Sequence, residues 1–197
     1  MNKVFKPLLL LVFISSFFSC NRRSEYHKMV IRELAKGVRY DTLFFDISLG
    51  MTSEDFYSHC WDLNREGLIR QGASNTTVYY QVKDFKYPAG MDFYPAFYKD
   101  RIYEMPVVFS YDGWVPWIKS QHADSLKIEV LDLMEEWFGT GFIEIENPNY
   151  NGGNAFVKVD GNRRISIYNV DETKVYVDFV DLLVLKEVEK SHRKENK

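Results

Sequence analysis

Cysteine is scarce: Cys20 and Cys60 are the two in 197 residues. They could form one bridge at most, so a densely stapled scaffold is excluded, and a single unmodified thiol cannot build a structural zinc site. The four histidines, His27, His59, His122 and His192, are scattered and add no metal-ligand spacing. Eleven glycines and six prolines are too few for a collagen-like chain. A formal charge of −3 lacks the positive excess that a polyanion-binding surface needs, which excludes nucleic acid as a main partner. No apolar run reaches the roughly 20 residues that cross a bilayer. Missing too are the G-x-S-x-G elbow, the phosphate-cradling P-loop, the dinucleotide glycine fingerprint and H-E-x-x-H. The pair Glu135-Glu136 consists of helix neighbours that face different ways, a solvated face before an acid/base couple. No cofactor or metal is implied, and the chain is expected not to be an enzyme.

What is present suits a folded domain. Hydrophobic residues make up 46% of the chain, aromatics 16% and charged residues 27%. A chain of this length buries roughly two thirds to three quarters of its unfolded surface, enough for a core without crosslinks.

The first twenty residues carry an address. Lys3 and Lys6 precede an apolar or small run from Pro7 to Ser19 (PLLLLVFISSFFS), too short to span a bilayer but suited to the core of an export signal. Phe17-Phe18-Ser19-Cys20 resembles the lipobox of bacterial lipoproteins, with the small Ser19 in its usual place and Phe17 and Phe18 where Leu and a small residue are usual. The resemblance implies cleavage between Ser19 and Cys20, a diacylglycerol on the Cys20 sulfur and an acylated new amine. An ordinary signal peptide with a chance cysteine, or an uncleaved anchor, is the alternative. Loss of Lys3 and Lys6 takes the side-chain charge from −3 to −5, so the acyl chains themselves must supply the membrane anchor. The expected location is the cell envelope of a bacterium, at the outer membrane before the inner, with the leaflet open.

With Cys20 lipidated, Cys60 is left alone and no internal disulfide is expected. Phe56, Cys60 and Leu63 form the inward stripe of a helix, where a free cysteine packs as a small hydrophobe. His59 points elsewhere on that helix and makes no dyad with it.

Periodicity organises the remainder. Residues 20–40 are the lipidated cysteine, a polar tether (NRRS) and a short amphipathic helix from Glu25 to Lys36 closed by Gly37. Residues 41–185 form the body. It opens with an extended entry, Asp41 to Leu49, and then a helix capped at Thr52 or Ser53 that runs to Glu66 before Gly67. A second helix is expected from Asp124 to Phe138, stopping at Gly139. An offset of 70 lays Phe56 on Leu126, Cys60 on Val130, Trp61 on Leu131 and Leu63 on Leu133, which divides the body into repeats 41–118 and 119–185; chance overlap of two amphipathic helices is the rival reading.

After each helix the period becomes 2. Strands are expected at Thr76 to Val82, Phe93 to Tyr98 and Arg101 to Tyr111, then at Phe142 to Glu146, Ala155 to Val159, Arg164 to Tyr168 and Lys174 to Val180. Asp160-Gly161-Asn162 reads as a hairpin turn. Residues 186–197 are a polar tail fraying from a short closing helix. The order gives an α+β fold with helices packed on one face of an antiparallel sheet.

Leu49-Gly50-Met51-Thr52, followed by Glu54, an amphipathic helix and antiparallel strands, resembles the small outer-membrane lipoproteins of the barrel assembly machinery. The tandem arrangement resembles the β-lactamase inhibitor protein fold. The shared stretch is about twenty residues per unit, with Asn64-Arg65-Glu66-Gly67 where a Gly-Pro turn is usual. The resemblance implies a module that acts by binding other proteins.

Aromatics are the compositional excess, and many fall between Tyr79 and Trp117. Trp114 and Trp117, flanking Val115-Pro116, are expected at the surface, and Tyr94 and Tyr98 join them as a candidate surface for a protein or for stacked sugar rings. Filling of the sheet core by alternate members is the simpler account. Arg163 and Arg164 beside Asn162 could clamp a carboxylate or phosphate; a solvated pair at a hairpin shoulder is the commoner outcome. The functional expectation is an envelope lipoprotein that binds a protein partner without chemistry, with surface glycan binding as the alternative.

Overall fold

The computed structural model of the protein describes residues 24–72, 77–146 and 153–195; the signal and lipidation positions, Ser19 and Cys20, lie outside them. Among the described residues the α-helices are α1 (24–35), α2 (Ser53–Arg65), α3 (Ala123–Phe138) and α4 (Leu182–Glu195). The strands among them are β1 (Arg70–Gln71), β2 (Val78–Val82), β3 (Ala89–Phe93), β4 (Ala96–Tyr98), β5 (Arg101–Tyr111), β6 (Ile143–Glu146), β7 (Asn154–Asp160), β8 (Arg163–Asn169) and β9 (Lys174–Asp181). The fold is α+β. Among the described residues no helix is long and apolar enough to cross a membrane.

Local chemistry sets the helix ends. The Thr52 hydroxyl oxygen accepts from the Asp55 backbone N–H at 3.1 Å and donates to the Asp55 carboxylate at 2.7 Å, while Glu54 and Asp55 complement the positive end of α2. α3 stops at Gly139, whose φ of 77° is open to a residue without Cβ. α4 runs through most of the expected polar tail, with His192, Arg193 and Lys194 in its last turn, where cations favour the carbonyl end.

All strand pairs are antiparallel, in one continuous sheet of order β1-β2-β3-β5-β9-β8-β7-β6, with β4 folded back on β5. The order is balanced about its centre: each half is a meander that follows a helix, and the last strands of the two halves, β5 and β9, pair along Glu104–Ser110 and Lys174–Val180. On one face, Met91, Phe93, Val107, Phe109, Ile165, Ile167, Val177 and Phe179 form the main core with Phe56 of α2 and Leu126, Val130 and Met134 of α3. On the other face α1 and α4 cover the C-terminal strands, through Met29 and Leu182 on Val159 and Tyr26 beside Val157 and Tyr168.

Residues 42–48 correct the expected extended entry. They form a tight turn, closed by a bridge between Thr42 and Ser48 and by Leu43 N–H donating to the Ile47 carbonyl at 2.9 Å. Phe45 (φ 52°) and Asp46 (φ 58°) are left-handed, at about 1–2 kcal/mol per residue. Burial of Phe44 and Ile47, at about 1.5–3 kcal/mol each, offsets this. The Phe44 ring lies 4.9 Å from Phe93, 5.7 Å from Phe179 and 6.1 Å from Trp137, and His59 Nε2 of α2 meets the Phe45 carbonyl at 2.6 Å. The turn is thus a wedge touching sheet, α2 and α3 together.

The β7–β8 turn is a hairpin as expected, yet it is covered. A Cβ on Gly161 (φ 53°) would stand 2.1 Å from the Val38 carbonyl oxygen, so only glycine permits the crossing. Residues 38–42 lie over it as a strap: Tyr40 N–H donates to Asn162 Oδ1 at 2.7 Å, Asn162 Nδ2 to Asp41 at 3.0 Å, and Arg39 to the buried Asp181 at 2.6 Å.

Candidate binding surface

Strand alternation divides β2, β3 and β5 into two sets of side chains. Val78, Tyr80, Met91, Phe93, Val107 and Phe109 face α2 and α3. Their neighbours Tyr79, Gln81, Asp92, Pro106 and Val108 face the other way, and none of them joins a core cluster among the described residues. α1 and α4 anchor on the C-terminal strands, so among the described residues no helix is built onto this half of the second face, which carries a mixed aromatic and polar surface.

Side chains lie flat along it. A Cβ on Gly90 would come within 2.3 Å of the Tyr79 ring, which therefore rests on the β3 backbone. Arg70 stacks 4.3 Å from the Tyr79 ring centroid, and the Tyr79 hydroxyl donates to Gln81 Oε1 at 2.8 Å. Burial and then the Asp112 charge push the Tyr79 phenol above its ordinary pKa. Nearer the centre, Tyr168 and Tyr176 stack at 5.7 Å with 7° between their planes, and the Tyr168 hydroxyl donates to Asp178 at 2.7 Å. Burial raises the Asp178 carboxyl against the opposing effects of Tyr168 and Arg164. It also raises Glu104, with the Asp178 charge adding to the shift. A flat, aromatic, charge-bearing sheet face can offer contact area and hydrogen bonds.

The six residues singled out from sequence do not meet on one surface. Tyr94 follows β3 on the α2 side, its hydroxyl 2.5 Å from that of Tyr57. Tyr98 in β4 makes an edge contact with Tyr103 at 6.4 Å and lies under Lys99. Trp114 (37% exposed) and Trp117 (80%) sit in the loop beyond Tyr111, at the opposite end of β5 from Tyr98, and Trp114 leans on His122 at 5.8 Å. The Arg163-Arg164 pair is corrected. Arg163 is buried, donates to the Thr42 carbonyl at 2.5 Å, pairs with Asp160 at 3.0 Å and lies 4.6 Å from the Phe138 ring centroid, so it is neither solvated nor open to an anion. Arg164 points to the second face, where its charge acts on Glu104 and Asp178. The Cys60 thiol is half-buried, and burial pushes it up to about 11, a protonated thiol at neutral pH.

Sequence reasoning missed Tyr57 and Trp61 of α2, which are 51% and 71% exposed. The signal was available: about 100° per residue places Trp61 far around the helix from Phe56, Cys60 and Leu63. It missed the Glu104, Arg164 and Asp178 grouping because three separate strands supply it. No family model, curated protein or solved structure matches the chain.

Proposed function

We propose that the protein is an envelope lipoprotein, anchored through lipid on Cys20, whose body binds another protein and performs no chemistry itself. The observation that carries this is the second face of β2, β3 and β5, which joins no core cluster among the described residues and carries Tyr79, Val108 and a charged border. Aromatic residues amid hydrogen-bonding groups suit the centre of a protein contact. Surface glycan binding at Trp114 and Trp117 rests on exposure alone, since Trp114 is engaged with His122.

The test is a mild-crosslinking pulldown of the full-length protein from its own membranes. Wild type is expected to capture a stoichiometric envelope protein, and Val108→Arg, a bulky charge on the second face, to reduce capture at least about tenfold. Cys20→Ser is expected to lose membrane anchoring. Equal capture by Val108→Arg would reject this face as the contact, and a membrane-bound Cys20→Ser would reject the anchor.

A further inference from the structure

α1 has a fixed direction on the second face. Near its C-terminus the buried Glu33 meets the Gly161 backbone at the β7–β8 turn. Near its start Tyr26 packs with Tyr168 and Tyr176, close to where β8 ends at Asn169 and β9 begins at Lys174. The N-terminus of α1 therefore points to that end of the sheet, where β5 also finishes, since Ser110 pairs with Lys174. Cys20 lies four residue steps before Ser24, so a lipid on Cys20 holds the bilayer surface within about 14 Å of the start of α1.

The same end carries exposed apolar side chains: Trp114 and Trp117 in the loop after β5, and Val170 in the turn between β8 and β9. Ile118 N–H donates to the Val115 carbonyl at 2.9 Å, which closes a four-residue turn with Pro116 and Trp117 at its tip. His122, at the start of α3, meets the Pro116 carbonyl through Nε2 at 3.0 Å and supports the Trp114 ring. Trp117 is thus held outward while its neighbours are tied down. An indole, an apolar body with one N–H donor, suits the headgroup level of a bilayer. Charges of both signs border the loop, Lys119 and Lys174 with Asp112 and Asp171, so ring insertion and not attraction to anionic lipid makes the contact. One ring alone binds weakly, but an acyl anchor in the same bilayer makes the contact intramolecular, at an effective concentration of about millimolar. We propose that the loop after β5 docks the body end-on against the bilayer, with Trp117 inserted at the headgroup level.

This docking rests on the Cys20 anchor of the proposed function, and it leaves the second face of β2, β3 and β5 open to a protein. The test uses the lipidated protein purified from its own membranes and reconstituted in phosphatidylethanolamine–phosphatidylglycerol vesicles, with and without bromine on the acyl carbons nearest the headgroups. Bromine is expected to quench the tryptophan emission by about a quarter or more, the share of one tryptophan in four. Trp117→Ala, a change at an exposed position, should remove most of the quenched emission, while Trp61→Ala, on a helix away from that end, should leave it unchanged. Mass spectrometry of the same sample reads the acyl groups on Cys20. Acylated Cys20 with unquenched emission would overturn the docking and leave the anchor standing, as would quenching that survives Trp117→Ala. An unmodified Cys20 would overturn both.

Discussion

The two helices on the core face do the same job unequally. α3 sinks Ala123, Leu126, Val130 and Met134 completely, across β5, β8 and β9, whereas α2 sinks Phe56 alone. At the offset of 70 one buried position agrees, Phe56 against Leu126, and elsewhere the helices diverge: Ser53 stands for Ala123, Cys60 for Val130 and Asn64 for Met134. Asn64 spends its amide N–H on the Ile69 carbonyl at 3.1 Å instead of filling apolar space. A smaller residue and a polar one leave the C-terminal half of α2 incompletely seated, and a cleft of about 600 Å³ opens there between α2 and the β1–β2 edge of the sheet. One half of the molecule thus buries a full stripe of its helix, and the other leaves much of its helix at the surface.

Several substitutions would break or sharpen that contrast. The largest effect is expected from Leu126→Ala, which removes a fully buried side chain and should cost about 2–5 kcal/mol in denaturant unfolding; a loss below 1 kcal/mol would mean that α3 is not the stabilising helix. Next comes the second-face acid. Asp178 and Glu104 hold folded-state values above the ordinary carboxylate range, so the native state binds more protons than the unfolded one. Their contribution to stability therefore falls as pH rises through the interval between ordinary and raised values. Asp178→Asn keeps an acceptor for Tyr168 and removes the buried charge, so its thermal midpoint at pH 7 should rise and the mildly acidic slope should flatten. A lower midpoint would show that attraction to Arg164 outweighs burial. Asn64→Leu would make α2 more like α3: stability should shift by no more than about 1 kcal/mol as apolar packing replaces one hydrogen bond, and cleft volume should shrink. A crystal structure of that variant with an unchanged cleft would refute the explanation. The smallest effect belongs to Trp61→Ala, expected within about 0.5 kcal/mol because the side chain is 71% exposed; a larger loss would make Trp61 part of the core.

Much of the fold was legible because periodicity is a local property. Thr52 and Gly139 marked helix ends, and β5 runs over the expected residues, Arg101 to Tyr111. The wedge was not legible: Leu43 and Phe44 are adjacent and both buried, which a strand with one covered face forbids and a turn permits. Arg163 looked like a solvated pair with Arg164 because nothing local shows that residues 38–42 return to cover it. On the surfaces, alternation marked Tyr79 as facing away from Val78 and Tyr80, while the joining of α2 to the β1 edge required the folded chain.

The strap over Gly161 also imposes an order in time. Residues 38–42 emerge early from any process that delivers the chain from its N-terminus, but their partners Asn162, Arg163 and Asp181 come more than 120 residues later. The central pairing has the same delay, since β5 must wait for β9, which closes at Asp181. Long-range pairings of this kind bear their loop-closure entropy before contacts repay it. The body therefore cannot complete its core while its last forty or so residues are still arriving, which leaves the early part of the chain threadable until delivery is nearly finished.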